Sequence, residues 1–357
     1  MKIILAFDSF KGCLSSMKAA SIAETAIRSL PYPIDVVKIP VTDGGDGMLS
    51  VYNALFNCKS VAAECHDALM RPIKTTFLVR EDGVCVIETA AACGINLLKK
   101  EELNPLRATT YGVGELMIAA IKQGCKEFII GLGGSATSDC GLGMLLALKE
   151  EYGEDWFQHR QLSALKIRLA SDVNIPLYGS MGAANVFGPQ KGATDKDIVL
   201  LDRRAKTFAT MSARKTGRDH AQQPGAGAAG GLGYAFLQFF NATMISGADL
   251  LLSEVQFEKK ISGADFIITG EGSADKQTLM GKIPFKLLQY GQNANIPVHL
   301  LAGRIADKEQ LLSAGFASAR FITPPNTPLE EAVQPAYAKK KLTEEVTRLV
   351  NYLYNDK

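Results

Sequence analysis

Acids and lysines in this chain gather at glycine-rich turns. Phe128-Ile129-Ile130-Gly131-Leu132 reads as a strand and runs directly into Gly133-Gly134-Ser135-Ala136-Thr137-Ser138-Asp139. A small-residue helical pattern follows, through Gly141, Gly143 and Met144 to Leu148. A strand that opens into glycines and hydroxyls at a helix start suits an anion. Unpaired N–H groups there point outward, and the helix dipole favours negative charge. Glycines also let a phosphate approach the backbone closely. Gly133, Gly134, Ser135 and Thr137 are therefore expected to hold phosphate, and Asp139 to hold a divalent cation. The turn is not a Walker A loop, because no Gly-Lys-Ser/Thr follows, and it lacks the spacing of the dinucleotide fingerprint.

Other turns repeat the theme. Asp8-Ser9-Phe10-Lys11-Gly12 offers a base or metal ligand in Asp8 and a phosphate clamp in Lys11. Thr42-Asp43-Gly44-Gly45-Asp46-Gly47 sets two acids among glycines, suited to a cation or to hydroxyls, without the remaining ligands of an EF-hand. Asp172 ends an apolar run and is followed by Gly188-Pro189-Gln190-Lys191-Gly192. Gly270-Glu271-Gly272 lies ahead of Asp275, Gln277, Thr278 and Lys282. The run Gly225–Gly233 is either a second phosphate cradle or a site of close helix packing. The four histidines fall outside all these turns, and there is no Gly-x-Ser-x-Gly elbow, which argues against a histidine-activated nucleophile. Acids and lysines repeated at strand ends point to phosphoryl transfer.

The elements that must position these residues alternate. Strands are expected at Ile3–Phe7, Asp35–Val41, Phe128–Leu132, Ile167–Ser171, Asp265–Thr269, Val298–Ala302 and Arg320–Thr323, and helices at Ser15–Leu30, Gly47–Leu55, Gly112–Gly124, Asp195–Lys215 and Ala332–Tyr354. This order predicts an α/β fold with largely parallel sheets, whose ligands gather at the carboxyl ends of the strands. Residues 60–100 differ, with hairpin strands near Thr75–Val79 and Val84–Glu88. That shift places one domain at 59–284, inserted between the segments 1–58 and 285–357 of the other. A hydrophobic content of 47% fits well-packed globular units, and a net charge of +2 gives no reason to expect a nucleic acid partner. Seven scattered cysteines without a C-x-x-C pair read as reduced thiols. The first acid comes too early for a signal peptide, and no apolar run spans a membrane, so a cytoplasmic protein is expected.

Taken together these turns resemble the bacterial type I glycerate kinase family. The resemblance rests on Asp8–Gly12, Asp43–Gly47, Glu88–Gly94, Thr109–Glu115, Gly131–Asp139, Val186–Thr194, Pro224–Gly233 and Thr269–Gly272 with Asp275, Gln277, Thr278, Gly281 and Lys282. It implies two α/β domains, one inserted in the other, with the active site in the cleft. It also implies Mg²⁺-dependent phosphorylation of D-glycerate by ATP, with a lean towards the 2-phosphate, and small molecules as the partners; oligomeric state stays open. On that basis Asp172 is the first choice for general base and Asp8 its rival, while Lys11 and Lys191 stabilise the transferring phosphoryl group. Gly133, Gly134, Ser135 and Thr137 hold ATP phosphates. Asp46 and Asp139 face the metal, and Asp43, Gly44, Gly45, Glu271 and Lys282 face glycerate. The chain departs from the family pattern where Ser273 replaces an Arg, a loss that Lys282 or Arg304 is expected to cover. It departs also at Cys140 and in a short 149–165 segment. A kinase of another hydroxy acid and a non-catalytic sensor of a phosphorylated metabolite are the alternatives.

Overall fold

The computed structural model describes residues 1–10 and 12–355. Its strands, in chain order, are β1 (Lys2–Phe7), β2 (Asp35–Lys38), β3 (Cys58–His66), β4 (Pro72–Arg80), β5 (Val84–Glu88), β6 (Glu127–Gly131), β7 (Lys166–Ala170), β8 (Thr243–Ile245), β9 (Phe266–Ala274), β10 (Val298–Ile305) and β11 (Ser318–Phe321). They form two sheets, in the orders β11-β10-β9-β1-β2 and β3-β4-β5-β6-β7-β8. The fold is α/β with two mostly parallel sheets.

The chain divides into two compact units, Met1–Thr42 with Ala248–Lys357, and Asp43–Gly247. These bounds differ from the expected 58/59 and 284/285. Strand pairing accounts for the late boundary. β9 is hydrogen-bonded in parallel to both β1 and β10, so it belongs to the first unit although it precedes residue 284. Residues Asp43–Leu55 belong to the second unit, because Gly47 and Leu49 donate to Glu88 at the end of β5. The Asp43–Gly47 and Glu271–Lys282 segments thus each sit in the unit opposite to the one expected.

In the first unit all five strands run parallel. The helix Ser16–Arg28 begins at Ser15, whose hydroxyl accepts from Lys18 N at 3.3 Å, a cap worth about 1 kcal/mol. Its Ala19, Ala20, Ala23, Ala26 and Ile27 recur at helical spacing and are buried. They share a core with Leu342, Val346, Leu349, Val350 and Leu353 of the helix Pro335–Asn355. That helix begins at Pro335, where proline's missing N–H costs nothing.

In the second unit β3, β4 and β5 are antiparallel and β5 to β8 are parallel. Strand β3 was not expected. Its exposed edge position and Lys, Ser and Glu content hide the apolar alternation. The core holds Phe77, Ile87, Phe128 and Ile130 of the sheet, with Leu116, Met144, Leu148 and Phe236 from the helices. Parallel pairing brings Glu88, Gly131, Ala170 and Ile245 to one edge of the sheet.

Candidate active site

The turn after β6 packs against the Asp43–Gly47 loop. Gly133 N donates to Gly44 O at 3.3 Å, and Leu132 N to Ala170 O at 3.2 Å. A Cβ on Gly133 would overlap Gly45, and one on Gly134 would overlap the Asp46 carboxylate. Gly134 also holds φ +74°. These glycines are therefore required by the approach of two loops, whatever else they admit.

The helical pattern expected after Asp139 begins at Leu142, following Gly141 at φ 79°. Its first N–H groups are not open. Leu142 N donates to Asp139 O, Gly143 N to Asp139 Oδ2, and Met144 N to Thr110 Oγ1, each at 3.0 Å. Asp139 Oδ2 also accepts from Thr110 N and Thr110 Oγ1, both at 2.8 Å, and Asp139 Oδ1 accepts from Gly141 N at 3.0 Å. Four donors fill about as many lone-pair sites as a carboxylate has. Asp139 therefore ties two helix starts together, Leu142–Tyr152 and Tyr111–Lys122, with Oδ2 fully used by three donors and Oδ1 by one.

Lys191 comes to the same turn from the short helix Pro189–Lys191. Its side chain is 2% exposed. Nζ donates to Thr137 O at 2.6 Å and to Ser135 Oγ at 3.1 Å, both neutral acceptors. Burial pulls its pKa down from 10.5 to about 8, and the charges of Cys93 and Asp139 push the other way. A buried lysine tuned this way marks a functional site more often than an exposed one does. Thr137 is fully buried beside it.

Asp46 is exposed, and its Oδ2 accepts from Asn96 Nδ2 at 2.7 Å. Asp43 folds back, its Oδ1 accepting from Gly45 N at 2.9 Å. Gly44 is wedged so that a Cβ would meet Ala170 O at 2.5 Å. Glu88 Oε1 and Oε2 accept from Gly47 N at 3.1 Å and Leu49 N at 3.2 Å, and burial pushes its carboxyl pKa up. Asp172 stands exposed two residues beyond β7, at the same sheet edge. The run Gly225–Gly233 is closely packed. Ala229, Gly230 and Gly231 are all left-handed, Gly230 O accepts from Cys140 N, and a Cβ on Gly230 would overlap Thr137 O.

In the first unit, Asp8 follows β1 and its Oδ1 accepts from Ser9 N at 2.6 Å. Lys11 lies outside the described residues. Glu271, 5% exposed on β9, accepts from Thr278 Oγ1 at 2.6 Å, with Lys282 Nζ 3.6 Å from its other oxygen. Burial raises the Glu271 pKa against the lowering effect of Thr278 and Lys282. Ser273 and Arg304 are paired positions on β9 and β10.

Residues 3–354 match the glycerate kinase family. The chain belongs to the glycerate kinase family. It is 38% identical to the glycerate kinase of Bacillus subtilis (strain 168) and 34% identical to the glycerate 2-kinase of Escherichia coli (strain K12), each over 94% of both chains. A crystal structure from Salmonella typhimurium LT2, provisionally named glycerate kinase 2, superposes with a TM-score of 0.83 at 31% identity, covering 100% of this chain and 99% of that one. The family makes this chain a phosphotransferase with ATP as cosubstrate, which excludes a non-catalytic sensor. No helix among the described residues is long and apolar enough to cross a membrane.

Three residues of this candidate site were not singled out from the sequence: Glu88, Asn96 and Thr110. Glu88 carried the available signal, since an acid ending an apolar strand repeats the pattern of Asp8 and Asp172. Asn96 and Thr110 gain meaning only from partners 50 and 29 residues away.

Proposed function

We propose that this glycerate kinase transfers the γ-phosphoryl group of ATP to D-glycerate and releases 2-phospho-D-glycerate. The observation that carries the reading is Lys191. Its buried ammonium braces the Gly133–Ser138 turn, at a sheet edge where acids and glycines converge. In this reading the turn takes ATP phosphates through Ser135, Thr137 and adjacent backbone, and Lys191 stabilises the charge of the transferring group. Asp172 accepts the hydroxyl proton of glycerate. Its exposed place at a strand end suits a base that must meet a substrate arriving from solvent. Asp8 is the alternative base. Asp43, Glu271 and Lys282 are assigned to the acceptor, and Arg304 to the place that Ser273 leaves without a cation.

Mg²⁺ fits Asp46. This carboxylate is exposed, gives one acceptor position to Asn96 and keeps the rest, which matches an ion that uses one or two carboxylates and retains water. When bound, Mg²⁺ neutralises phosphate charge. Asn96 holds Asp46 in orientation, while Asp139 stays in its capping role.

The test is to incubate the protein with ATP, Mg²⁺ and D-glycerate and to resolve the product by ³¹P NMR. A 2-phosphoglycerate signal supports the reading. A 3-phosphoglycerate signal overturns the regiochemistry, and turnover of other hydroxy acids with none of D-glycerate overturns the substrate.

A further inference from the structure

Glu88 has no role in the chemistry just described, yet its carboxylate is placed with care. It ends β5, and its two oxygens accept from two different amides, Gly47 N at 3.1 Å and Leu49 N at 3.2 Å. Both amides belong to the start of the helix Met48–Leu55, whose first N–H groups have no partner within the helix. The helix opens from Gly47, which is left-handed at φ 88° and carries no capping side chain. The carboxylate therefore does the work of a missing cap, from a different strand, and complements the helix dipole. Burial and the charge of Asp46 both push its pKa up, so holding it ionised there has a cost. The residue just before Gly47 is Asp46, with its carboxylate against Gly134 and its Oδ2 held by Asn96.

We propose that Glu88 is a positioning residue for phosphoryl transfer: by clamping the amides of Gly47 and Leu49 it fixes the Asp43–Gly47 loop and so aims Asp46 at the Gly133–Gly134 turn. This rests on the reading above that Asp46 works at that turn. Misplacing a catalytic carboxylate by about 1 Å can cost on the order of 100-fold in rate. Glu88→Gln keeps the shape but offers one accepting oxygen in place of two, and its amide faces an N–H.

The experiment is a double-mutant cycle of Glu88→Gln and Asp46→Asn in the full chain, read by kcat and KM, with melting temperature and hydrogen exchange of the segment 43–50 beside them. We expect Glu88→Gln to lower kcat by about 10- to 100-fold and to speed exchange in that segment. We expect the double variant to be no slower than Asp46→Asn alone, since a residue acting through Asp46 has nothing left to position. If the two losses multiply, Glu88 acts elsewhere and the proposal fails while the reading of Asp46 stands. If Asp46→Asn turns over normally, that reading fails and takes the proposal with it. Should Glu88→Gln not fold, Glu88→Asp replaces it in the same cycle. It keeps the charge but is one methylene too short to bridge both amides, and the same criteria decide.

Discussion

Replacing Asp139 with Asn separates a capping carboxylate from a metal ligand. In the native protein, three donors converge on Oδ2 (Thr110 N, Thr110 Oγ1 and Gly143 N) and one on Oδ1 (Gly141 N), all at 2.8–3.0 Å. Asn can set its carbonyl oxygen where Oδ2 was and keep the first three. Its amide then faces the Gly141 N–H, donor against donor. One hydrogen bond to a charged acceptor is lost, worth about 1.5–3 kcal/mol. The remaining three fall to neutral strength, roughly half that of charge-assisted bonds. Because the carboxylate is part-exposed, water offsets some of this. The net cost should be about 3 kcal/mol, and at roughly 2–4 °C per kcal/mol for a unit of this size the melting temperature should fall by about 10 °C. The assay is thermal unfolding by circular dichroism, followed by kinetics against Mg²⁺ concentration at a temperature where both proteins are folded. There the Mg²⁺ dependence should match wild type. An Asp139→Asn protein that melts with wild type but needs far more Mg²⁺ would refute the capping account and restore Asp139 as a metal ligand.

Asp172→Asn should lower kcat by about 10²–10⁴, measured beside the melting temperature at a temperature where the variant is folded; a near-normal kcat passes the base role to Asp8. Lys191 titrates near 8 in the fold against 10.5 unfolded, so the unfolded chain holds the extra proton between these values. Wild-type stability should therefore rise across that window relative to Lys191→Met, as measured by denaturant unfolding near both ends; parallel pH profiles would count against it. His299, buried and bonded to Ser318 Oγ at 2.8 Å, has its pKa lowered from 6.5 to about 4 by burial and then by Arg320. As pH falls through that interval the unfolded chain protonates first, so wild type should lose stability there and His299→Gln should lack that slope. Arg304→Gln should raise the KM for glycerate with little change in that for ATP, and an unchanged glycerate KM would remove Arg304 from the acceptor site.

Most of the parallel strands were legible because they are short apolar runs that end in turn chemistry, as Ile3–Phe7 and Phe128–Leu132 do; the three-residue β8 was not. The edge strand β3 was not, since only two of its nine residues, Ala63 and Cys65, are buried, too few to reveal a period. The unit boundaries were hidden for a different reason. Assigning β9 to the first unit depends on its pairing with β1, some 260 residues earlier in the chain, and nothing local in Phe266–Ala274 announces that partner. Lys191 was legible as a cation near the turn, but its burial was not. Asp139 was read as a ligand because an acid after glycines and hydroxyls looks the same whether it meets a metal or four N–H and O–H donors. The capping role shows only once Thr110 is seen to donate to it.

The glycines pose the same ambiguity in a sharper form. Gly44, Gly133, Gly134, Gly230 and Gly247 all stand where a Cβ would strike another loop: Ala170, Gly45, Asp46, Thr137 and Asp43 respectively. A loop that cradles phosphate and a loop that must nest against its neighbour call for the same missing side chain. Gly134→Val would therefore damage nucleotide binding even if no phosphate ever touched Gly134, because valine at φ +74° is strained and also displaces Asp46. Loss of activity at these glycines shows that the loops must interlock. It does not show what they bind. The residues that can discriminate are those with side chains at the turn, Ser135, Thr137 and Lys191, whose functional groups can be removed while the backbone keeps its path.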